Sequence, residues 1–120
     1  MEVLRHVLWV AAGGAAGAVA RYLVARWVAT PFPWATFAAN IVGSLLIGLL
    51  VGLASKEVLS TEMRLLLVTG FCGGFTTFST FANESYGMLE GGHILTAALY
   101  VSASVFAGIL AVYVGLQLSR

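Results

Sequence analysis

Long apolar stretches separated by short polar punctuation make up this chain. After Arg26 no Asp, Glu, Lys or Arg occurs until Lys56, after Arg64 none until Glu84, and after Glu90 none until Arg120. Roughly 20 mostly apolar residues in an α-helix cross a hydrocarbon core of about 30 Å, so each run holds one span. A fourth lies between Val7 and about Trp27, interrupted by Arg21, with Arg26 at its very end. The pattern predicts helices over 6–28, 34–54, 62–89 and 93–118. Thr30-Pro31-Phe32-Pro33 ends the first, because each proline removes an amide donor and disfavours helix in the residue before it. The polar segment 56–62 forms the second connection, with Ser60 or Thr61 as the cap of the third helix, and Gly91-Gly92 makes the last turn.

Composition agrees with four spans. Of the 120 residues, 60% are hydrophobic and only 9% charged, with mean hydropathy +0.97, too little polar surface for a soluble domain. Arg5 ahead of an apolar run ending in Ala18-Val19-Ala20 has the outline of a secretory signal. The run continues past Arg21 into Tyr22-Leu23-Val24, however, and is read as the first span. The expected fold is an all-α membrane protein, residues 1–120 forming a single four-helix domain, multi-pass in the cell (inner) membrane. Trp9, Trp27, Trp34 and Tyr113 fall near predicted helix ends, where an interfacial belt places them. A net charge of +1 offers no patch for nucleic acid. The lone Cys72 excludes an internal disulfide and reads as a small buried residue.

Four spans put both termini and the second connection on one side, with Arg5, Lys56, Arg64 and Arg120 there against Arg21 and Arg26 on the other. The lean is towards cytoplasmic termini, by a margin small enough to allow insertion both ways. Gly13 and Gly17, Gly48 and Gly52, and Gly70 and Gly74 are each four residues apart, a spacing that lets helices approach closely in lipid. Contacts within the chain and an oligomer interface are both expected from them.

The segment from Gly70 to Phe81, GFCGGFTTFSTF, carries the most chemistry. Paired glycines followed by hydroxyl and aromatic residues make poor helix, and the third segment, at about 1.5 Å per residue, is longer than the core requires. A broken third helix is predicted near Gly73–Thr77; the alternative is a glycine kink whose hydroxyls bond back to their own helix. Non-helical backbone at that depth survives only where protein or an aqueous cavity covers it. A break frees carbonyls at the end of one half and amides at the start of the other, which suit a cation and an anion respectively. Gly70 and Gly74 lack the spacing and the following Lys of a phosphate loop.

Thr36, Asn40 and Ser44 share one face of the second helix, as Thr96, Tyr100 and Ser104 do on the fourth. Single hydroxyls are tolerated in membrane helices, but an unpaired Asn40 amide in hydrocarbon costs several kcal/mol, so it must face protein, water or a ligand. Arg21 either snorkels to the interface or sits in an anion vestibule. Glu84 closes a polar path or pairs with a basic residue, and His6 and His93 lie at helix ends. No nucleophile–base set, carboxylate pair or metal-ligand cluster is visible, so an enzyme is not expected.

Gly14-x-x-Gly17-Ala18-x-x-Arg21-Tyr22, Asn40-x-x-Gly43-Ser44 and the segment Gly70–Phe81 resemble the Fluc (CrcB) fluoride channels. The likeness covers nearly the whole chain, and the third motif is the most specific. It implies a passive, fluoride-selective channel that confers fluoride resistance, built in the membrane lipid as an antiparallel dual-topology homodimer with two pores. It also implies a structural sodium ion held by the backbone carbonyls of Gly73 and Thr76. By the same resemblance Phe78 and Phe81 are pore phenylalanines, Asn40 the pore asparagine, Arg21 the vestibule arginine, and Ser79, Thr80, Tyr100 and Ser104 a polar track. Fluoride is small and tightly hydrated, so hydroxyls, an amide and the positive edges of phenyl rings are suitable replacements for its water. Two other readings stand beside this one. A small multidrug-type proton-coupled exporter needs a membrane carboxylate in its first helix, and Val7–Ala20 has none. A non-conducting assembly subunit would use the glycine faces alone.

Overall fold

A computed structural model describes residues 1–120 as an all-helical bundle with extents of 50 × 30 × 23 Å. Helix α1 is Glu2–Trp27 and α2 is Trp34–Ser55. The third span, Thr61–Glu90, comprises α3 over 61–75 and α4 over Phe78–Glu90, and α5 is Ile94–Ser119. Four helices are long and apolar enough to cross a membrane. Their ends fall within a few residues of the predicted ones except at the start of α1, which begins four residues early with Glu2 in its first turn, favourable at a helix N-terminus.

Local chemistry sets the ends. The Ser60 hydroxyl accepts the amide of Met63 at 3.1 Å and caps α3. Gly92 turns the chain into α5 at φ 82°, a left-handed conformation that glycine adopts without strain. Within α3, Leu65–Cys72 is wound with the i→i+5 pattern of a π-helix, and the Gly73 N–H reaches back five residues to Val68. Thr76 (φ −85°, ψ 156°) and Thr77 (φ −149°, ψ 121°) are extended and separate α3 from α4. Gly73 and Gly74 precede this step and are helical.

Two helix pairs build the bundle. α1 lies along α3, and α2 lies along α5. In both, glycine lets backbone meet backbone. A Cβ on Gly13 would strike the Leu66 carbonyl, one on Gly17 the Phe71 carbonyl, and one on Gly70 would come within 2.8 Å of the Val10 carbonyl. Between α2 and α5, Gly48 faces the Val112 carbonyl and Gly115 the Leu45 carbonyl, while Gly52 accommodates the Ser119 hydroxyl. All six glycines of the four-residue spacings are therefore packed inside the chain. Gly73 and Gly87 are open, a Cβ on either meeting nothing within 4 Å. Only 16 of 120 residues are buried, so much of the apolar surface faces outward.

Candidate functional site

The step at Thr76 and Thr77 is tied to α2 by one side chain. The Thr77 N–H donates to Asn40 Oδ1 at 2.8 Å, and Asn40 Nδ2 donates to the Thr77 carbonyl at 3.2 Å. One turn along α2, Gly43 leaves room for the methyl group of Thr76, which a Cβ would hit. Thr76 closes the end of α3 by donating from both its N–H (3.1 Å) and its hydroxyl (2.8 Å) to the Cys72 carbonyl. The Thr77 hydroxyl accepts the amide of Thr80 at 3.3 Å and so caps α4.

Two hollows meet at Thr77. The larger, a groove of about 550 Å³, is lined by Asn40, Ser44, Gly73, Thr76, Phe78, Phe81 and Ser104 among others. The Ser104 hydroxyl is buried there with no hydrogen-bond partner in the protein, an exception to the rule that buried polar groups are paired. The Phe78 and Phe81 rings stand 6.0 Å apart, and the Phe81 ring lies 5.1 Å from Tyr100. Phe78 is 79% exposed, so the groove is open on that side.

The smaller hollow, about 240 Å³, lies under the first connection and includes Arg21, Thr30, Thr36, Thr80 and Glu84. Arg21 Nε donates to the Gly74 carbonyl at 3.2 Å, which ties α1 to the end of α3. Glu84 accepts from Thr36 at 2.9 Å on one carboxylate oxygen and from the Tyr100 hydroxyl at 2.9 Å on the other. Its partners are thus hydroxyls, and neither expected role named them. Thr36 and Tyr100 share helix faces with Asn40 and Ser104, so the facing stripes held the signal; the pairing itself requires α4 to be seated between them.

Of the residues singled out in the sequence, Asn40, Phe78, Phe81, Ser104, Gly73 and Thr76 line the groove, and Arg21 and Thr80 line the smaller hollow. Tyr100 lines neither but reaches Glu84 from a buried position. Ser79 is exposed on α4 and enters neither hollow. No group of three or more His, Cys, Asp or Glu side chains is placed to hold a metal.

Residues 8–116 match the family described as CrcB-like protein, Camphor Resistance (CrcB). A protein named fluoride-specific ion channel FluC from Chlorobaculum tepidum is 52% identical over 122 residues, covering 98% of this chain and 97% of the relative. Namesakes from Agrobacterium fabrum and Flavobacterium psychrophilum are 51% and 43% identical, covering 96% and 98% of this chain and the same shares of the relatives.

Proposed function

The chain belongs to the CrcB-like family, whose named relatives are ion channels and not enzymes, and from that premise we propose that it is a passive, fluoride-selective channel. It is a multi-pass integral membrane protein of the bacterial inner membrane. The observation that carries the proposal is the buried, unpartnered Ser104 hydroxyl in a groove shared with Asn40, Phe78 and Phe81. A hydroxyl, an amide N–H and two ring edges are donors of moderate strength without full charge. Such donors replace water around a small anion and still release it. From the groove the path passes Thr77 into the hollow of Arg21 and Thr80, where a guanidinium draws anions to the mouth. Hydrofluoric acid enters cells uncharged and dissociates inside, and the channel lets the trapped anion leave down its gradient.

The functional unit is an antiparallel dual-topology homodimer with two pores. Phe78 lines the groove yet is mostly exposed, and Gly73 has open space where a side chain would be. Both features fit a second copy closing the groove. The small excess of Arg5, Lys56, Arg64 and Arg120 over Arg21 and Arg26 is a weak topology signal that suits insertion in both orientations.

The backbone also suits a structural sodium ion at the carbonyls of Gly73 and Thr76. In a continuous α-helix these two would accept the amides of Thr77 and Thr80. Thr77 instead donates to Asn40, and Thr80 to the Thr77 hydroxyl. Carbonyls released from a helix in this way are hard oxygen donors of the kind that coordinate sodium at breaks in membrane helices. Bound there, the ion would neutralise carbonyl dipoles and hold two copies together. A proton-coupled exporter is less well supported, because the only acidic residue on α1 is Glu2 at its exposed start.

The test is anion efflux from liposomes that contain only this protein. Fluoride should leave far faster than chloride, and Phe78→Ile should slow fluoride efflux by about tenfold or more, equivalent to about 1.4 kcal/mol of barrier. Equal fluoride and chloride rates, or wild-type efflux in Phe78→Ile, would overturn the reading.

A further inference from the structure

We infer that Asn40 and Gly43 of α2 are positioning residues for the cation-binding carbonyls, so that the anion groove and the cation seat form one coupled unit. This inference rests on the proposed cation at Gly73 and Thr76.

The Asn40 amide grips both polar groups of one residue. Its oxygen takes the Thr77 N–H and its nitrogen gives to the Thr77 carbonyl. An extended residue turns its N–H and C=O to the same side, as in the paired residues of an antiparallel ladder. A helical residue points them in opposite directions along the axis. One side-chain amide can engage both groups only when Thr77 is extended, so Asn40 selects the non-helical conformer. The Thr77 N–H that Asn40 holds is also the one that would otherwise return to Gly73.

Gly43 supplies the second half of the seat. It lies one turn from Asn40 on the same face, and its missing side chain admits the Thr76 methyl group, leaving the Phe75 ring 3.4 Å from where a Cβ would be. Thr76 is then held on three sides, by α2 and by its two hydrogen bonds to the Cys72 carbonyl. The position of its own carbonyl follows from that anchoring.

Asn40 is one of the residues lining the groove, and its amide has a further N–H. An anion drawing on that N–H and a cation drawing on the Gly73 and Thr76 carbonyls therefore act on one arrangement, that of Asn40, Gly73, Thr76 and Thr77. Coupling of this kind is reciprocal: whatever one ion does to the affinity of the other is returned by the same factor.

The experiment titrates sodium against N-methylglucamine on the detergent-solubilised protein, reading the thermal unfolding midpoint, with liposome efflux measured in parallel. Wild type should be stabilised by sodium. Asn40→Ala should raise the sodium concentration for half-maximal stabilisation by about tenfold, within the usual range for coupled sites. Asn40→Asp keeps an acceptor for the Thr77 N–H but sets an oxygen against the Thr77 carbonyl, so its sodium midpoint should lie between those of wild type and Asn40→Ala while its efflux is lost, because the donor is gone and a carboxylate faces the groove. Gly43→Ala keeps the amide and displaces Thr76, so its sodium response should weaken.

A merely structural or purely pore-lining Asn40 would not separate Asp from Ala in this way. Unchanged sodium midpoints in Asn40→Ala and Gly43→Ala, beside a normal wild-type response, would overturn the inference and leave the proposed cation site standing. If Asn40→Ala fails to fold, the Asp and Gly43 variants decide the matter. Absence of any sodium response in wild type would remove the cation reading itself and this inference with it.

Discussion

The contact between α1 and α3 and the contacts that α4 makes with α2 and α5 are built from different kinds of residue and serve opposite ends. In the first, Gly13, Gly17, Gly70 and Gly74 bring backbones together until a single methyl group would collide with a carbonyl. In the second, Gly48 and Gly115 bring α2 and α5 equally close, but α4 is joined to them through hydroxyls, an amide and a carboxylate, by hydrogen bonds from Thr36 and Tyr100 to Glu84 and between Asn40 and Thr77. The contrast shows a division of labour. Without a hydrophobic drive between helices in lipid, close packing of small residues supplies cohesion, and a stiff dry half allows the other half to carry polar groups and hollows.

The glycine-packed contact of α1 with α3 is the most sensitive to substitution. Gly13→Val should prevent stable assembly, because its Cβ would overlap the Leu66 carbonyl and crowd the Phe71 amide at 2.9 Å. Overpacking a well-filled site typically costs about 1–3 kcal/mol, and more where backbone must move. The yield of monodisperse protein in detergent measures this, and wild-type yield and melting would show that α1 and α3 are not so close. On the polar side, Tyr100→Phe leaves one oxygen of the Glu84 carboxylate without its donor. A stability loss of about 1–3 kcal/mol is expected from thermal or denaturant unfolding. The smallest effect on stability belongs to Ser104→Ala. Its hydroxyl has no partner in the protein, so unfolding should shift by less than about 0.5 kcal/mol while fluoride efflux falls severalfold. If efflux is unchanged, the lone hydroxyl has no part in the pathway.

Much of the architecture is legible from the spacing of charges. Runs between Arg26 and Lys56, Arg64 and Glu84, and Glu90 and Arg120 delimit three spans because a charge in hydrocarbon is expensive. The glycine spacings also announce tight packing, though not which helix each faces. The site is less legible. Gly73-Gly74 is the weakest helix in the third span by propensity, yet both residues stay helical and the chain straightens one turn later, at Thr76 and Thr77. Local preference loses here to a tertiary partner, because Asn40, 37 residues away, offers Thr77 hydrogen bonds that only an extended backbone can use. Glu84 is similar: the 48-residue separation from Thr36 puts their pairing beyond any local pattern. The loose winding of Leu65–Cys72 has no obvious mark in the sequence LLLVTGFC, whose first five residues are ordinary for a membrane helix.

That loose winding also sets the angular position of everything after it. An i→i+5 stretch absorbs residues that a regular α-helix would advance along its axis, and each residue advanced turns the following side chain by about 100°. Were Leu65–Cys72 to relax into ordinary α-helix, Phe75 and Thr76 would swing away from Gly43, and Thr77 would lose its alignment with Asn40. The third span thus behaves like a screw clamped at one particular angle: the slack wound into its lower thread determines which faces meet above.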